Sequence, residues 1–164
     1  MANPNTESLT PKQRLDQLDT VLNEYEARLG LAEFNEDHDG SEINTYLGMD
    51  RRQMEKLTVE DCAEIAMILD SFAFHLQRAL NRETARVNWS KNVLREMISG
   101  RESQYNGSWD SQFVQAIKEN SYAKGVFKIQ NYAQQRADRI TYLATSVRSR
   151  SNLFMNLQKA KAMR

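Results

Sequence analysis

The chain has 164 residues, 22 Lys+Arg against 22 Asp+Glu, 40% hydrophobic residues and 27% charged ones. That length fits one domain, and six Gly with two Pro are too few for the tight turns of a β-sandwich, a barrel or a Gly-rich nucleotide fold. No stretch approaches the roughly 20 consecutive apolar residues of a membrane span, so the expected partners do not include a membrane.

The zero net charge hides an asymmetry. Residues 1–80 carry 7 Lys+Arg and 16 Asp+Glu, a balance of −9, whereas residues 81–164 carry 15 and 6, a balance of +9. A single cysteine, Cys62, excludes an intrachain disulfide, and its neighbours Ala63, Ile65 and Ala66 mark it as a buried helical thiol. The start, Met1-Ala-Asn-Pro-Asn-Thr-Glu, has neither the basic nor the apolar stretch of a secretory leader. The expected compartment is the cytoplasm, that of the host cell if the chain is phage-encoded.

In chain order, Thr10-Pro11-Lys12-Gln13 has the residues of a capping box with Pro at the first helical position. Leu15, Leu18, Leu22, Tyr25 and Leu29 then recur in steps of three and four, a coiled-coil-like seam that Gly30 ends in a left-handed cap. Residues 33–42 form an acidic loop. Its spacing does not match a calcium loop, because Tyr46 stands where the bidentate Glu is needed, so His38 and its acidic neighbours read as solvated. Residues 43–57 hold a short helix that Gly48 keeps from growing.

A long helix starts at Thr58, with Glu60 and Asp61 favouring its positive end. Apolar residues at Val59, Cys62, Ile65, Leu69, Phe72, Leu76 and Leu80, then Val87, Leu94 and Ile98, run without Gly or Pro up to Gly100. At about 1.5 Å per residue this is a rod of about 60 Å that needs another long helix beside it. Residues 100–108 are a turn region, and Ser108 caps a short helix carrying Trp109, Phe113 and Ile117. The last helix spans about 121–163, with a seam of Val126, Ile129, Ala133, Arg136, Ile140, Leu143, Val147, Arg150, Phe154 and Leu157. These elements predict an all-α protein. An acidic N-terminal helical region covers 1–57, and a long-helix hairpin with a basic last helix covers 58–164. Coiled-coil-like seams too long for one chain to bury predict a homo-oligomeric bundle or ring.

No catalytic constellation, metal site or cofactor-binding loop emerges. His38 and His75 are far apart, and His75 follows Phe72 and Phe74 inside a helix. The chain therefore reads as a binding protein rather than an enzyme. After Glu119 come nine bases, Lys124, Lys128, Arg136, Arg139, Arg148, Arg150, Lys159, Lys161 and Arg164, against one acid, Asp138. Such a helix repels itself unless a polyanion or the acidic half lies alongside. Aromatics among bases are how single-stranded nucleic acid is held without sequence readout. Trp109 and Phe154 sit at core spacing, whereas Tyr105 lies in a polar turn four residues after Arg101 and is the expected stacking residue. Neither a zinc finger nor a helix-turn-helix signature is present, which argues against duplex reading.

From about residue 80 onward the chain resembles the UvsY-type recombination mediators of T-even-like bacteriophages. A long helix leads into Arg101-Glu-Ser-Gln-Tyr105-Asn-Gly107, similar to that family's basic stretch ending in Tyr-x-Gly. The last helix reaches Val147-Arg148-Ser149-Arg150, similar to its hydrophobic-basic-Ser-Arg element, and Phe154-Met-Asn-Leu-Gln158 resembles its amphipathic tail. Arg101 matches one member of the family's Lys-x-Arg pair, and Ser99 stands at the Lys position. The resemblance implies a ring-forming homo-oligomer without catalytic activity that binds single-stranded DNA. Its partners would be a RecA-like recombinase and the single-strand-binding protein whose coated strands the recombinase must enter. The expected nucleic-acid contacts are Arg101, Lys124, Lys128, Arg136, Arg139, Arg148 and Arg150, with Tyr105 stacking. The other reading is a helical scaffold or virion-assembly protein that oligomerises without nucleic acid.

Overall fold

The computed structural model describes residues 9–31, 40–99 and 104–163. Arg101, His38 and most of the acidic loop 33–42 lie outside the described residues. Among the described residues the chain is all-helical: α1 Pro11–Arg28, α2 Gly40–Gly48, α3 Arg51–Lys56, α4 Val59–Ser99, α5 Trp109–Glu119 and α6 Ser121–Ala162. None of these helices is long and apolar enough to cross a membrane.

The helix ends follow local chemistry. Thr10 and Gln13 form the expected capping box, and Gly30 adopts φ 75° after α1. There the Gly30 N–H donates to the Ala27 carbonyl at 3.0 Å and the Leu31 N–H to Glu26 at 3.1 Å, which satisfies carbonyls the helix leaves open. Gly48 does end α2, but the segment 43–57 holds parts of two helices rather than one. Asp50 opens α3 with its own capping box to Gln53, a signal in plain sight within Met49-Asp-Arg-Arg-Gln53. Thr58 and Asp61 bond reciprocally at the start of α4: the Thr58 N–H reaches Asp61 Oδ2 at 2.8 Å, and the Asp61 N–H reaches Thr58 Oγ1 at 3.0 Å. The Thr58 N–H, and after it the Thr58 hydroxyl, favour the ionised form of the Asp61 carboxyl and hold it below its ordinary range. Ser108 caps α5 as expected.

The chain divides into two compact units that cut across its sequence order. One draws on Met1–Phe34 and Arg82–Arg136, the other on Asn35–Asn81 and Ala137–Arg164. The first contains α1, the second half of α4, α5 and the start of α6. Its core joins Leu94, Ile98, Tyr105, Ala116, Ala123 and Val126, with Phe113 and Phe127 edge-to-face at 5.3 Å. The second contains α2, α3, the first half of α4 and the end of α6. Its core joins Ile43, Ile65, Ala66, Leu69, Ala73, Leu76, Ala144, Val147 and Phe154. Burying a side chain such as Leu69, Leu94 or Phe154 contributes about 1.5–3 kcal/mol each.

In each unit a stretch of α4 packs on a stretch of α6. The α4 seam is the expected one: Cys62, Ile65, Leu69, Leu76, Val87, Leu94 and Ile98 are buried. The α6 seam is rotated from the expected one. Val126, Ala133, Val147 and Phe154 are buried, but so are Ala123, Ala137, Ala144 and Ser151, while Leu143 and Arg136 are exposed. Small residues let the two backbones approach, and Ser151 Oγ donates across to the Ala66 carbonyl at 3.1 Å in a buried setting. Much of both seams is buried within the chain, where α4 and α6 pack on each other. The α1 seam is shallower: Leu15, Leu18 and Leu22 are half-buried, and Tyr25 and Leu29 are exposed.

Candidate nucleic-acid interface

Because α6 carries a surplus of bases, the question at each one is whether an internal partner already uses its charge. In the first unit two acids of α1, Asp19 and Glu26, pair with arginines of α4. Arg86 reaches Asp19 through two bonds, Nε to Oδ1 at 3.1 Å and Nη2 to Oδ2 at 2.8 Å, and its Nη1 donates to Glu83 at 2.6 Å. Arg82 donates to Glu26 Oε2 at 3.0 Å and to the side-chain oxygen of Asn23. Burial works against the Arg86 charge, but the Asp19 bond and the Glu83 and Asp19 carboxylates outweigh it and hold its pKa above the ordinary value.

One base of α6 enters this network. Arg136 Nη2 lies 2.9 Å from Glu83 Oε2, with its side chain still 48% exposed. The expected phosphate contact at Arg136 is thus partly neutralised. Lys124 and Lys128 differ. Both are exposed, and among the described residues neither joins an ion pair. Lys128 Nζ sits 5.8 Å from the centroid of the half-exposed Tyr132 ring. Lys124, Lys128 and Tyr132 fall four residues apart, so they line one solvent-facing stripe of α6. A Cβ at Gly125 would come 3.0 Å from Pro11 Cγ, so the start of α1 seats tightly there, and the Arg14 guanidinium lies 5.6 Å from the Tyr122 ring. The sequence reading did not single out Tyr132, for which the i, i+4 spacing from Lys128 was a legible signal.

Tyr105 is corrected. It is 7% exposed and packs in the core with Leu94, Ile98, Ala116 and Val126, so its ring is not open to a base. The polar residues around it, Gln104, Asn106 and Gly107, are exposed, and the aromatic alone turns inward to fill the space where the chain leaves α4 for α5. Trp109, expected at core spacing, is 47% exposed.

In the second unit three bases of α6 serve the chain itself. Arg150 Nε donates to the Tyr46 carbonyl at 3.1 Å, Nη2 donates to the Met49 carbonyl, and the guanidinium lies 5.5 Å from the Phe154 ring. It therefore caps the C-terminus of α2, where open carbonyls and the helix dipole both favour a cation. Lys161 does the same for α3, with Nζ 2.9 Å from the Glu55 carbonyl. Arg148 donates to Gln77 Oε1 at 3.0 Å from an exposed position. Arg150 is thus a structural cap rather than an available phosphate contact, and Arg148 is shared with Gln77. Arg139 is exposed and joins no ion pair among the described residues.

The two remaining chemical candidates are also internal. Cys62 is fully buried; burial pushes its thiol up, with Lys161 pulling weakly the other way. His75 is half-buried and stacks on Phe72 with ring centroids 6.2 Å apart. Compared with protein-family models, curated proteins and solved structures, the chain matches none of them.

Proposed function

We propose that this chain binds single-stranded DNA without sequence preference. In this reading it is a non-enzymatic recombination mediator that helps a RecA-like recombinase load onto strands covered by single-strand-binding protein, in phage recombination or replication. The DNA-binding part rests on the stripe Lys124, Lys128 and Tyr132: two bases outside any internal ion pair beside a half-exposed aromatic ring. Arg139, exposed on the same helix, is a third phosphate contact, and Arg101 contributes as the resemblance to the UvsY-type mediators implies. The mediator role rests on that resemblance alone. Tyr132 replaces Tyr105 as the stacking residue.

Phosphate contacts release counterions, so log affinity falls with log salt at about −0.7 per contact on single strands. Lys124, Lys128, Arg139 and Arg101 together give a slope of about −3 per chain. Fluorescence anisotropy with a labelled oligonucleotide across a salt series tests this. Lys124→Ala and Lys128→Ala should each flatten the slope by about 0.7, and Tyr132→Ala should weaken binding by about 1–3 kcal/mol while leaving the slope unchanged. An affinity independent of salt refutes a phosphate-led mechanism. Stimulation of a recombinase on coated strands is the separate test of the mediator role.

One observation favours the alternative, a helical scaffold or virion-assembly protein acting by oligomerisation. Arg136, Arg148 and Arg150 already have internal partners, so much of the basic surplus is spent on the fold. For a scaffold, no oligonucleotide binding is expected even at low salt.

A further inference from the structure

Among the described residues, neither the buried core around Leu94, Ile98 and Val126 nor the partly buried hydrophobics packed on it includes a residue of α1. The helix buries no residue of its own. It seats through the half-buried Leu15, Leu18 and Leu22 and through its acids. Those acids meet two guanidinium groups with little access to solvent, the side chains of Arg82 and Arg86 being 10% and 22% exposed. Asp19 takes Arg86 with both carboxylate oxygens, Nε donating to Oδ1 and Nη2 to Oδ2, and Glu26 takes Arg82 at 3.0 Å. The fork at Arg86, two N–H groups on two oxygens of one anion, is also the geometry by which arginine holds a phosphate.

We propose that α1 is an autoinhibitory strap: its Asp19 and Glu26 carboxylates occupy a second anion site, made by Arg82 and Arg86 of α4, which phosphates of single-stranded DNA enter when α1 swings away, a regulation that rests on the reading of the chain as a single-stranded DNA binder. A helix tied down by few buried apolar contacts opens at lower cost than the core beneath it, so α1 leaves while α4, α5 and α6 stay packed. Its departure takes Asp19, Asn23 and Glu26 away from Arg82 and Arg86, while Arg86 keeps Glu83, which also holds Arg136 of α6. Among the described residues of this network the acids then fall from three to one, against the same three guanidinium groups. A phosphate chain neutralises that surplus. With α1 closed, the apparent affinity is lowered in proportion to the open fraction.

Anisotropy with a labelled oligonucleotide on variants of the full chain tests the strap. Asp19→Asn with Glu26→Gln releases the two guanidinium groups and loosens α1. Affinity at low salt should rise about tenfold, and the salt slope should steepen by about 1.4, two phosphate contacts at about 0.7 each. Asp16→Asn with Glu24→Gln changes the net charge equally at exposed positions of the same helix, where Glu24 pairs with Arg28 of α1 itself. Its gain should stay within about twofold, because exposed charges are screened. A staple separates release of α1 from loss of its charges. A Cβ at Gly125 lies 3.6 Å from Pro11 Cβ, within the roughly 3.5–4.5 Å that a disulfide spans. Pro11→Cys with Gly125→Cys therefore locks the start of α1 on α6 when oxidised, while the buried Cys62 stays out of the reaction. Added to Asp19→Asn with Glu26→Gln, the oxidised staple should cancel the gain, and thiol should restore it. Circular dichroism verifies that each chain keeps its helices. A gain no larger than that of Asp16→Asn with Glu24→Gln, or a gain that the closed staple leaves intact, overturns the strap while DNA binding stands. Binding by none of these chains at low salt removes the DNA reading and the strap with it.

Discussion

Glu83→Gln is the most informative single change in the first unit, because one carboxylate holds two guanidinium groups. Glu83 is buried between Arg86 at 2.6 Å and Arg136 at 2.9 Å. Breaking a buried ion pair from one side costs about 3–5 kcal/mol when the remaining charge is stranded. Neither guanidinium is fully stranded here. Arg86 keeps its two bonds to Asp19, and Arg136, with its side chain 48% exposed, turns to water. The expected loss is therefore below that range, about 2 kcal/mol. For a chain of this size that is a fall in Tm of about 4–8 °C. The same change releases Arg136 on α6, so binding to single-stranded oligonucleotide should tighten at low salt and its salt slope should steepen by about 0.7. Differential scanning calorimetry and anisotropy on one preparation read both effects. A Tm unchanged within a degree, or a slope that stays at the parent value while Tm falls, refutes the claim that Glu83 restrains a base the nucleic acid could use.

Arg150→Met should lower thermal stability by uncapping α2 and should leave the salt slope unchanged, opposite to Lys128→Ala; a slope flattened by about 0.7 would return Arg150 to the interface. Tyr105→Ala should destabilise the first unit by about 3 kcal/mol, as loss of a buried aromatic does, with oligonucleotide affinity unchanged at a temperature where the chain is folded. Cys62 should not react with an aromatic disulfide reagent in the native chain and should yield one thiol per chain in guanidinium; rapid native reaction would contradict its burial. The Asp61 carboxylate, held below its ordinary pKa by Thr58, stabilises the start of α4 at neutral pH. That contribution is lost as pH falls through its folded-state value, so the gap in urea midpoint between the parent and Asp61→Asn should close on acidification; a gap constant from neutral to acid pH would show that the charge does not matter.

The sequence by itself determined the elements of this protein. Helix starts at Thr10, Thr58 and Ser108 are local hydrogen-bond chemistry between residues three apart, and Gly30 ends α1 because only a left-handed residue closes that turn easily. The long apolar stripe of α4 was equally legible, because large residues at helical spacing signal their burial whatever they meet. Tertiary structure decided what local signals do not carry. The buried stripe of α6 runs through Ala123, Ala137, Ala144 and Ser151, residues too small to advertise a core, which bury because α4 approaches closely there. Tyr105 sits in a polar turn and yet fills a gap between helices. The roles of the bases were the least legible of all. Arg136, Arg150 and Lys161 look alike in sequence to Lys124 and Lys128, and only the position of a distant acid or an open helix end separates a structural cation from one that faces solvent. The charge halves of −9 and +9 follow from composition. That the acids of α1 hold Arg82 and Arg86 of α4, and leave the stripe of α6 exposed, follows from the fold.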